Sequence, residues 1–135
     1  MRHPDWPARL DRFLAERRDR PFAWGVHDCC LFVLDWIAEA TGTRPFDPRG
    51  QYHDAAEAAA LLREHWNTDD LTIVVIDLLG QPLATPLLAG RGDVLAFQRD
   101  KGVWLGLCVG SQGVAVGRRG LVTLPLSLAT YGWRL

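Results

Sequence analysis

Lysine is nearly missing from this chain. Of its 15 basic residues, 14 are arginine and one is Lys101; against 16 acidic residues they leave a formal charge of −1. Without a cationic surplus the chain is not expected to bind nucleic acid in general, because non-specific affinity comes from excess cations that release counterions. No run of 18 apolar residues exists, so no membrane-spanning helix is expected. Met1-Arg2-His3-Pro4-Asp5 lacks the apolar segment of a secretory signal. Cysteine is scarce and odd in number: Cys29, Cys30 and Cys108. That excludes a disulfide framework and leads us to expect unlinked thiols in a reduced, cytosolic chain. Neither the paired Cys/His spacing of a zinc site nor the G-x-x-x-x-G-K of a phosphate loop occurs, so no metal and no cofactor is expected.

What is present is ordinary for a globular chain: 135 residues, 48% hydrophobic and 23% charged. Surface scaling gives such a chain burial of roughly 68% of its unfolded surface, enough for a core without staples. No repeat or low-complexity tract interrupts it. The composition shifts from Arg-, Ala- and acid-rich to Gly-, Val- and Leu-rich after about residue 80. The expected class is therefore α+β in one domain over 1–135, with helices over about 5–80 and strands over about 91–135.

Asp5-Trp6-Pro7 marks a helix start with Asp5 as cap, and Trp6, Leu10, Phe13 and Leu14 keep helical spacing up to Pro21. A second helix is expected from Asp28 or Cys29, with Phe32, Val33, Trp36, Ile37 and Ala40 on one stripe and Gly42 ending it. The stretch 43–52 holds Pro45, Pro48 and Gly50 and reads as a loop. Asp54-Ala55-Ala56-Glu57 is a capping-box variant opening a third helix to His65 or Trp66. Over 69–80 the β-branched run Ile73-Val74-Val75-Ile76 favours strand, but Leu71, Val74, Val75, Leu78 and Leu79 keep the helical period, and a helix is expected. Strands are expected at 93–98, 103–109, 113–117, 120–124 and 131–135, with glycine-rich turns between them. Short strands joined by tight turns imply a meandering antiparallel sheet of about five strands, forming a partial barrel.

The densest chemistry lies in Trp24-Gly25-Val26-His27-Asp28-Cys29-Cys30-Leu31-Phe32. It places Cys29 in the first turn of a helix, where free backbone N–H groups and the helix dipole favour a thiolate nucleophile. The competing reading is a buried structural cysteine packing as a small hydrophobe. A nucleophilic thiol needs a base. The histidines are His3 near the terminus, His27 two residues before Cys29, and His53 and His65 flanking the third helix; each reads more simply as a surface or cap-region residue. Arg91-Gly92-Asp93 has the letters of an adhesion tripeptide but reads as a turn into a strand. Six tryptophans are many for this length and read as core or half-buried anchors, with some share left for an interface.

Asp28-Cys29-Cys30-Leu31-Phe32-Val33 resembles the D-C-S-G-F-V helix start of the NlpC-type cysteine peptidases, which have a papain-like fold and cut peptidoglycan stem peptides. Arg91-Gly92-Asp93-Val94-Leu95-Ala96-Phe97 resembles their R-G-D-L-V-F-F strand, and Trp104-Leu105-Gly106-Leu107-Cys108-Val109-Gly110 their H-V-G-I-Y-L-G strand. The three come in the family's order across about residues 24–117. The resemblance implies an NlpC-like fold with Cys29 as a vestigial nucleophile. It puts Trp104 where the catalytic histidine stands and Val116 where the orienting polar residue stands, so base and orienter are both apolar. Trp24, Asp28, Trp104 and Val116 would line the cleft.

The pattern is closer still to small phage and prophage proteins with W-x-W/G-x-x-D-C-C-x-F, then G-x-D-P-x-x-x-x-Y, R-G-D-V, L-G-x-C-x-G and a terminal Trp. Here those pieces run through Gly42 to Pro48, Tyr52, Gly106 to Gly110, and Trp133. The resemblance implies a structural protein of a phage-like tail tip or tail-assembly module, including gene transfer agents. It would be located in the virion tail, assembled in the host cytoplasm, and in contact with tail or baseplate hub proteins and the cell wall. Interface candidates are Arg118 and Arg119 on a hairpin tip, and Trp133 among several exposed aromatics. The alternatives are a working peptidoglycan amidase or endopeptidase that takes its base from His27, His53 or a partner chain, and a peptide- or glycan-binding module using the inactive cleft.

Overall fold

Each helix begins where an acidic side chain can reach a free backbone N–H, with one exception that is informative. The computed structural model describes residues 1–135. Helix α2 (Cys29–Thr41) is capped by Asp28, whose extended backbone lets its carboxylate accept the Leu31 N–H at 2.9 Å. Helix α3 (Ala55–Trp66) is capped by Asp54, which accepts the Glu57 N–H at 2.8 Å while Glu57 accepts the His53 N–H at 2.8 Å. Helix α4 (Leu71–Leu79) is capped by Asp70 through the Thr72 N–H at 2.9 Å. Its β-branched run is helical because Val74 and Val75 are buried on the period-3.6 stripe, so packing overrides propensity. The exception is α1 (Trp6–Arg17), which has Pro7 in its first turn but no side-chain cap. The expected cap, Asp5, lacks the extended backbone a cap needs, and its carboxylate instead accepts Arg9 Nε at 2.8 Å.

The strands β1 (Val94–Arg99), β2 (Gly102–Cys108), β3 (Gln112–Gly117), β4 (Gly120–Pro125) and β5 (Ala129–Trp133) form one antiparallel sheet in the order β4-β3-β2-β1-β5. The sheet is open. After β4 the chain turns at Pro125 through a short 3₁₀ turn, Leu126–Leu128, and pairs β5 with β1. β4 and β5 are therefore the outer strands, and the expected partial barrel does not close. The last strand also lies two residues earlier than expected.

Side chains alternate across the sheet with period two. Val94, Ala96, Leu105, Leu107, Val114, Val116 and Trp133 join Leu10, Phe13, Phe32 and Trp36 from the helices in the main core. Leu95, Phe97 and Cys108 face the other way and join Ala89 in a smaller cluster, with Trp104, Leu83 and Leu126 packed against it. Each large apolar side chain buried in this way is worth roughly 1.5–3 kcal/mol. Trp36 Nε1 donates to Gly92 O at 2.8 Å and Trp133 Nε1 to Gly80 O at 3.1 Å, so both indoles are satisfied inside. Trp133 is 1% exposed, which removes it from the interface candidates. Of the aromatics only Trp24 and Tyr131 are exposed, while Trp6, Trp66 and Trp104 are half-buried.

The Arg91-Gly92-Asp93 turn is structural. The Arg91 guanidinium pairs with Asp11 of α1. Asp93 is buried, accepts Gly90 N–H at 2.8 Å and Leu135 N–H at 3.1 Å, and pairs with Arg2, so it ties both chain ends to the sheet.

Candidate functional site

The segment before α2 is a tight loop closed by two hydrogen bonds between Ala23 and His27, at 2.9 and 2.8 Å. Gly25 makes the turn at φ 73, and a Cβ there would run into the Tyr52 carbonyl, so glycine is required on two counts. Asp28 is the hub. Its Oδ1 accepts the Leu31 N–H; its Oδ2 accepts the Gly25 N–H at 3.0 Å and the Tyr52 hydroxyl at 2.5 Å. Burial, and then the bond to Asp28, drive the Tyr52 phenol far above its usual range. Asp28 is thus committed to holding the loop, α2 and Tyr52 together, and is not free to act as a base.

Cys29 and Cys30 lie on the floor of a groove of about 440 Å³. Its walls are Ala55, Ala58, Ala59 and Leu62 of α3, Phe46 and Pro48 of the preceding loop, and Val103 of β2; Asp69, Asp70, Gln98 and Lys101 form the polar rim. Twelve of the 19 lining residues are apolar, which makes the groove a place for apolar groups with a few polar contacts at its edge.

The Cys29 thiol rests against the Leu105 backbone of β2, and burial pushes its pKa up to about 11; the nearby Asp28 carboxylate adds to the rise, and the backbone bonds only partly offset it. A helix N-terminus favours a thiolate, but here that pull is opposed. Desolvation outweighs the dipole, and the capping carboxylate brings negative charge to the same end. Cys30 is pushed up by burial as well, then by Cys29 and Asp28. All three cysteines are free thiols. Cys29 and Cys30 both reach the groove, and Cys30 also borders an apolar pocket against Leu71, Val74 and Leu105.

No histidine lines the groove. His27 is buried, edge-on to Phe32 at 6.2 Å, and neither ring nitrogen has a hydrogen-bond partner. Burial, then the positive charges of Arg20 and Arg17, hold its pKa below the ordinary histidine value. It is a core imidazole rather than a surface one. His53 is exposed, with Nδ1 3.1 Å from Glu57, and His65 packs on Phe46 at 5.2 Å. His3 is docked, its N–H donating to Ala40 O at 2.7 Å.

Of the residues read from the sequence, Trp24, Asp28 and Cys29 come together in the groove; Trp104 and Val116 do not. Leu105 and Leu107 take the helix-facing positions of β2, so the period of two sends Trp104 to the opposite face. There its Nε1 donates to Val116 O at 3.3 Å and the Arg99 guanidinium covers its ring at 4.1 Å. Val116 points toward the helices but is sealed in the core. Arg118 and Arg119 are exposed on the β3–β4 turn, which docks on the end of α1 through the Leu121 N–H to Arg18 O at 2.9 Å. Sequence reasoning missed the second groove cysteine, the Ala face of α3, and Tyr52 as partner of Asp28. The last was legible only as the final letter of a motif.

No group of three or more His, Cys, Asp and Glu is placed to hold a metal ion. No helix is long and apolar enough to cross a membrane. No curated protein and no solved structure matches the chain. The family described as "Domain of unknown function (DUF6950)" matches residues 1–135, and this chain belongs to it.

Proposed function

We propose that this protein is a non-catalytic structural component of a phage-like tail module, built on an NlpC-like fold whose catalytic cleft has become an apolar groove. The observation that carries the loss of catalysis is the state of Cys29: a thiol pushed up to about 11, in a groove with no imidazole. At neutral pH it stays protonated, and without a positioned base a hydrolase forfeits about 10²–10⁴-fold from that source alone. The tail-module part of the reading is supported by the resemblance carried by Trp24–Phe32, Gly42–Tyr52, Gly106–Gly110 and Trp133, and the NlpC-like part by the ordered motifs at Asp28–Val33, Arg91–Phe97 and Trp104–Gly110. Helix α2 packing on β2 and β3 is compatible with the papain-like arrangement those motifs imply.

The test has two arms. Purified protein should release no dye from labelled cell walls, and Cys29→Ala should support normal particle formation in the phage or prophage that carries the gene. Gene deletion should give tailless or tip-defective particles by electron microscopy. Infectious particles with normal tails after deletion would overturn the assembly role. Wall hydrolysis abolished by Cys29→Ala would overturn the non-catalytic one.

A second reading is favoured by the groove itself. Its apolar walls and polar rim of Asp69, Asp70 and Lys101 suit a peptide or glycan held without turnover. Saturable binding of soluble peptidoglycan fragments, lost on Ala58→Trp, would select this reading over a purely architectural one.

A further inference from the structure

A second concavity lies on the outer side of α2. It encloses about 680 Å³ between α1, α2 and the loop after α2, and Arg12, Arg17, Arg20, Arg44 and Arg49 converge on it. Only three carboxylates share it: Glu16, Asp35 and Glu39. Five cations against three anions leave two positive charges in one hollow of a chain whose net charge is −1.

The carboxylates are oversubscribed. Asp35 pairs with Arg44 at 2.8 Å and with Arg49 at 2.8 Å, and Arg17 stands 4.0 Å away. Glu39 is divided between Arg9 at 3.5 Å and Arg12 at 3.3 Å. Arg20 lines the hollow, and its side chain makes no intrachain ion pair or hydrogen bond with any residue. The unneutralised charge is felt nearby. Arg17 is held below its ordinary value, first by burial, and Arg20 and Arg49 press in the same direction against the pull of Asp35. His27 is pressed the same way by Arg20 and Arg17.

We propose that this hollow docks an acidic segment of a partner protein, with Arg12 and Arg20 as the reading guanidiniums. The planar guanidinium fork matches a carboxylate two bonds at a time, and a concave setting strengthens each pair by excluding water. A protein segment is favoured over a nucleic-acid backbone for two reasons. Glu16 and Glu39 stand among the arginines, where they would repel a continuous track of phosphates but can sit between separated carboxylates. Ala38 and the 64%-exposed Val26 give the hollow an apolar component that an alternating acidic and apolar peptide can cover and a phosphodiester cannot. This inference stands apart from the reading of the Cys29 groove.

The test uses the full chain and a fluorescently labelled short peptide of alternating Glu and Leu, followed by anisotropy. Saturable binding is expected at low salt, weakening at about 0.3 M salt where screening is strong. The double charge reversal R12E/R20E should weaken binding by at least about tenfold, whereas R118E/R119E, an equal charge change on another surface, should bind as the parent does. Arg20→Gln keeps the variant series interpretable if the double reversal misfolds, since no intrachain bond is lost, and should cost about threefold. No saturable binding overturns the proposal, as does equal weakening in both double variants. A single-stranded oligonucleotide of equal charge that displaces the peptide at lower concentration overturns the assignment to a protein segment.

Discussion

Two hollows flank α2, and they treat their ionisable groups in opposite ways. In the Cys29 groove, burial acts on groups with no counter-charge: both thiols and the Tyr52 phenol are driven toward their neutral forms. In the arginine hollow, burial also opposes charge on Asp35, but hydrogen bonds from Arg49 and Arg44 more than offset it, and its carboxyl stays below the usual range. Desolvation is common to both places; what differs is whether a fixed counter-charge stands within reach. A nucleophile site needs the second kind of environment, and Cys29 sits in the first. The residues that keep an open charge for a ligand lie on the other side of the helix.

The largest expected effect separates the two acids that anchor these hollows. Asp28 accepts three hydrogen bonds while buried, all from donors that would otherwise be stranded or lost. Asp28→Ala should destabilise the fold by about 3–5 kcal/mol, since each stranded buried donor costs about 1–3 kcal/mol. Asp35→Ala should cost less, about 1–2 kcal/mol, because Arg44 and Arg49 can turn to water. Urea unfolding of both variants decides, and a larger loss for Asp35→Ala would break the contrast. Gly25→Ala belongs to the groove side too. It should cost about 1–3 kcal/mol from the positive φ alone, with the clash against Tyr52 added.

Thiol chemistry sharpens the contrast next. With its pKa pushed up from the ordinary 9.0 to about 11, the Cys29 thiolate fraction at pH 7 falls roughly 100-fold below that of an unperturbed thiol. Iodoacetamide alkylation, followed by peptide mass spectrometry, should therefore be slow at pH 7 and rise about tenfold per pH unit through pH 9 without a plateau. A plateau near neutrality would mean an activated thiolate and would revive the enzyme.

The difference between the hollows also marks what could be read from the chain. The helices were legible from the helical period of their apolar residues, from Asp54 opening α3 and from Gly42 ending α2; these are local signals. Strand positions followed from the glycine turns, but closure of the sheet did not, because where β5 pairs depends on a path across the molecule. The groove was half legible. Trp24, Asp28 and Cys29 sit in one short segment, whereas the fate of Trp104 depended on which parity of β2 faces α2. Leu105 and Leu107 settle that by filling the core, a consequence of tertiary packing rather than of spacing. The arginine hollow was not read at all. Its members come from positions 12 to 49 on two helices and the loops that follow them, and only the fold brings them together.

The smallest effect concerns His27, which is buried in the loop before α2. Its ring is 1% exposed and both nitrogens lack partners, so the native state holds it neutral. Its folded pKa is lowered by burial, then by Arg20 and Arg17, whereas the unfolded chain titrates near the ordinary value of about 6.5. Below that value the unfolded state binds the extra proton and the native state does not. Stability contributed by the neutral ring is therefore whole above about pH 6.5 and falls as the pH drops toward the lowered value, by up to about 1.4 kcal/mol per unit. Asp35 acts in a lower window: its folded pKa is depressed, so its share persists above about pH 4 and is lost only on further acidification. His27→Leu removes the first step and leaves the second. The variant should match the parent to within about 1 kcal/mol at pH 7.5, since no hydrogen bond is lost and the volume is similar. It should be the more stable of the two at pH 5.5. Parallel stability curves for the two proteins between pH 7.5 and pH 5 would show that His27 is protonated or partnered in the native state, and the field of the arginine hollow would then not reach it.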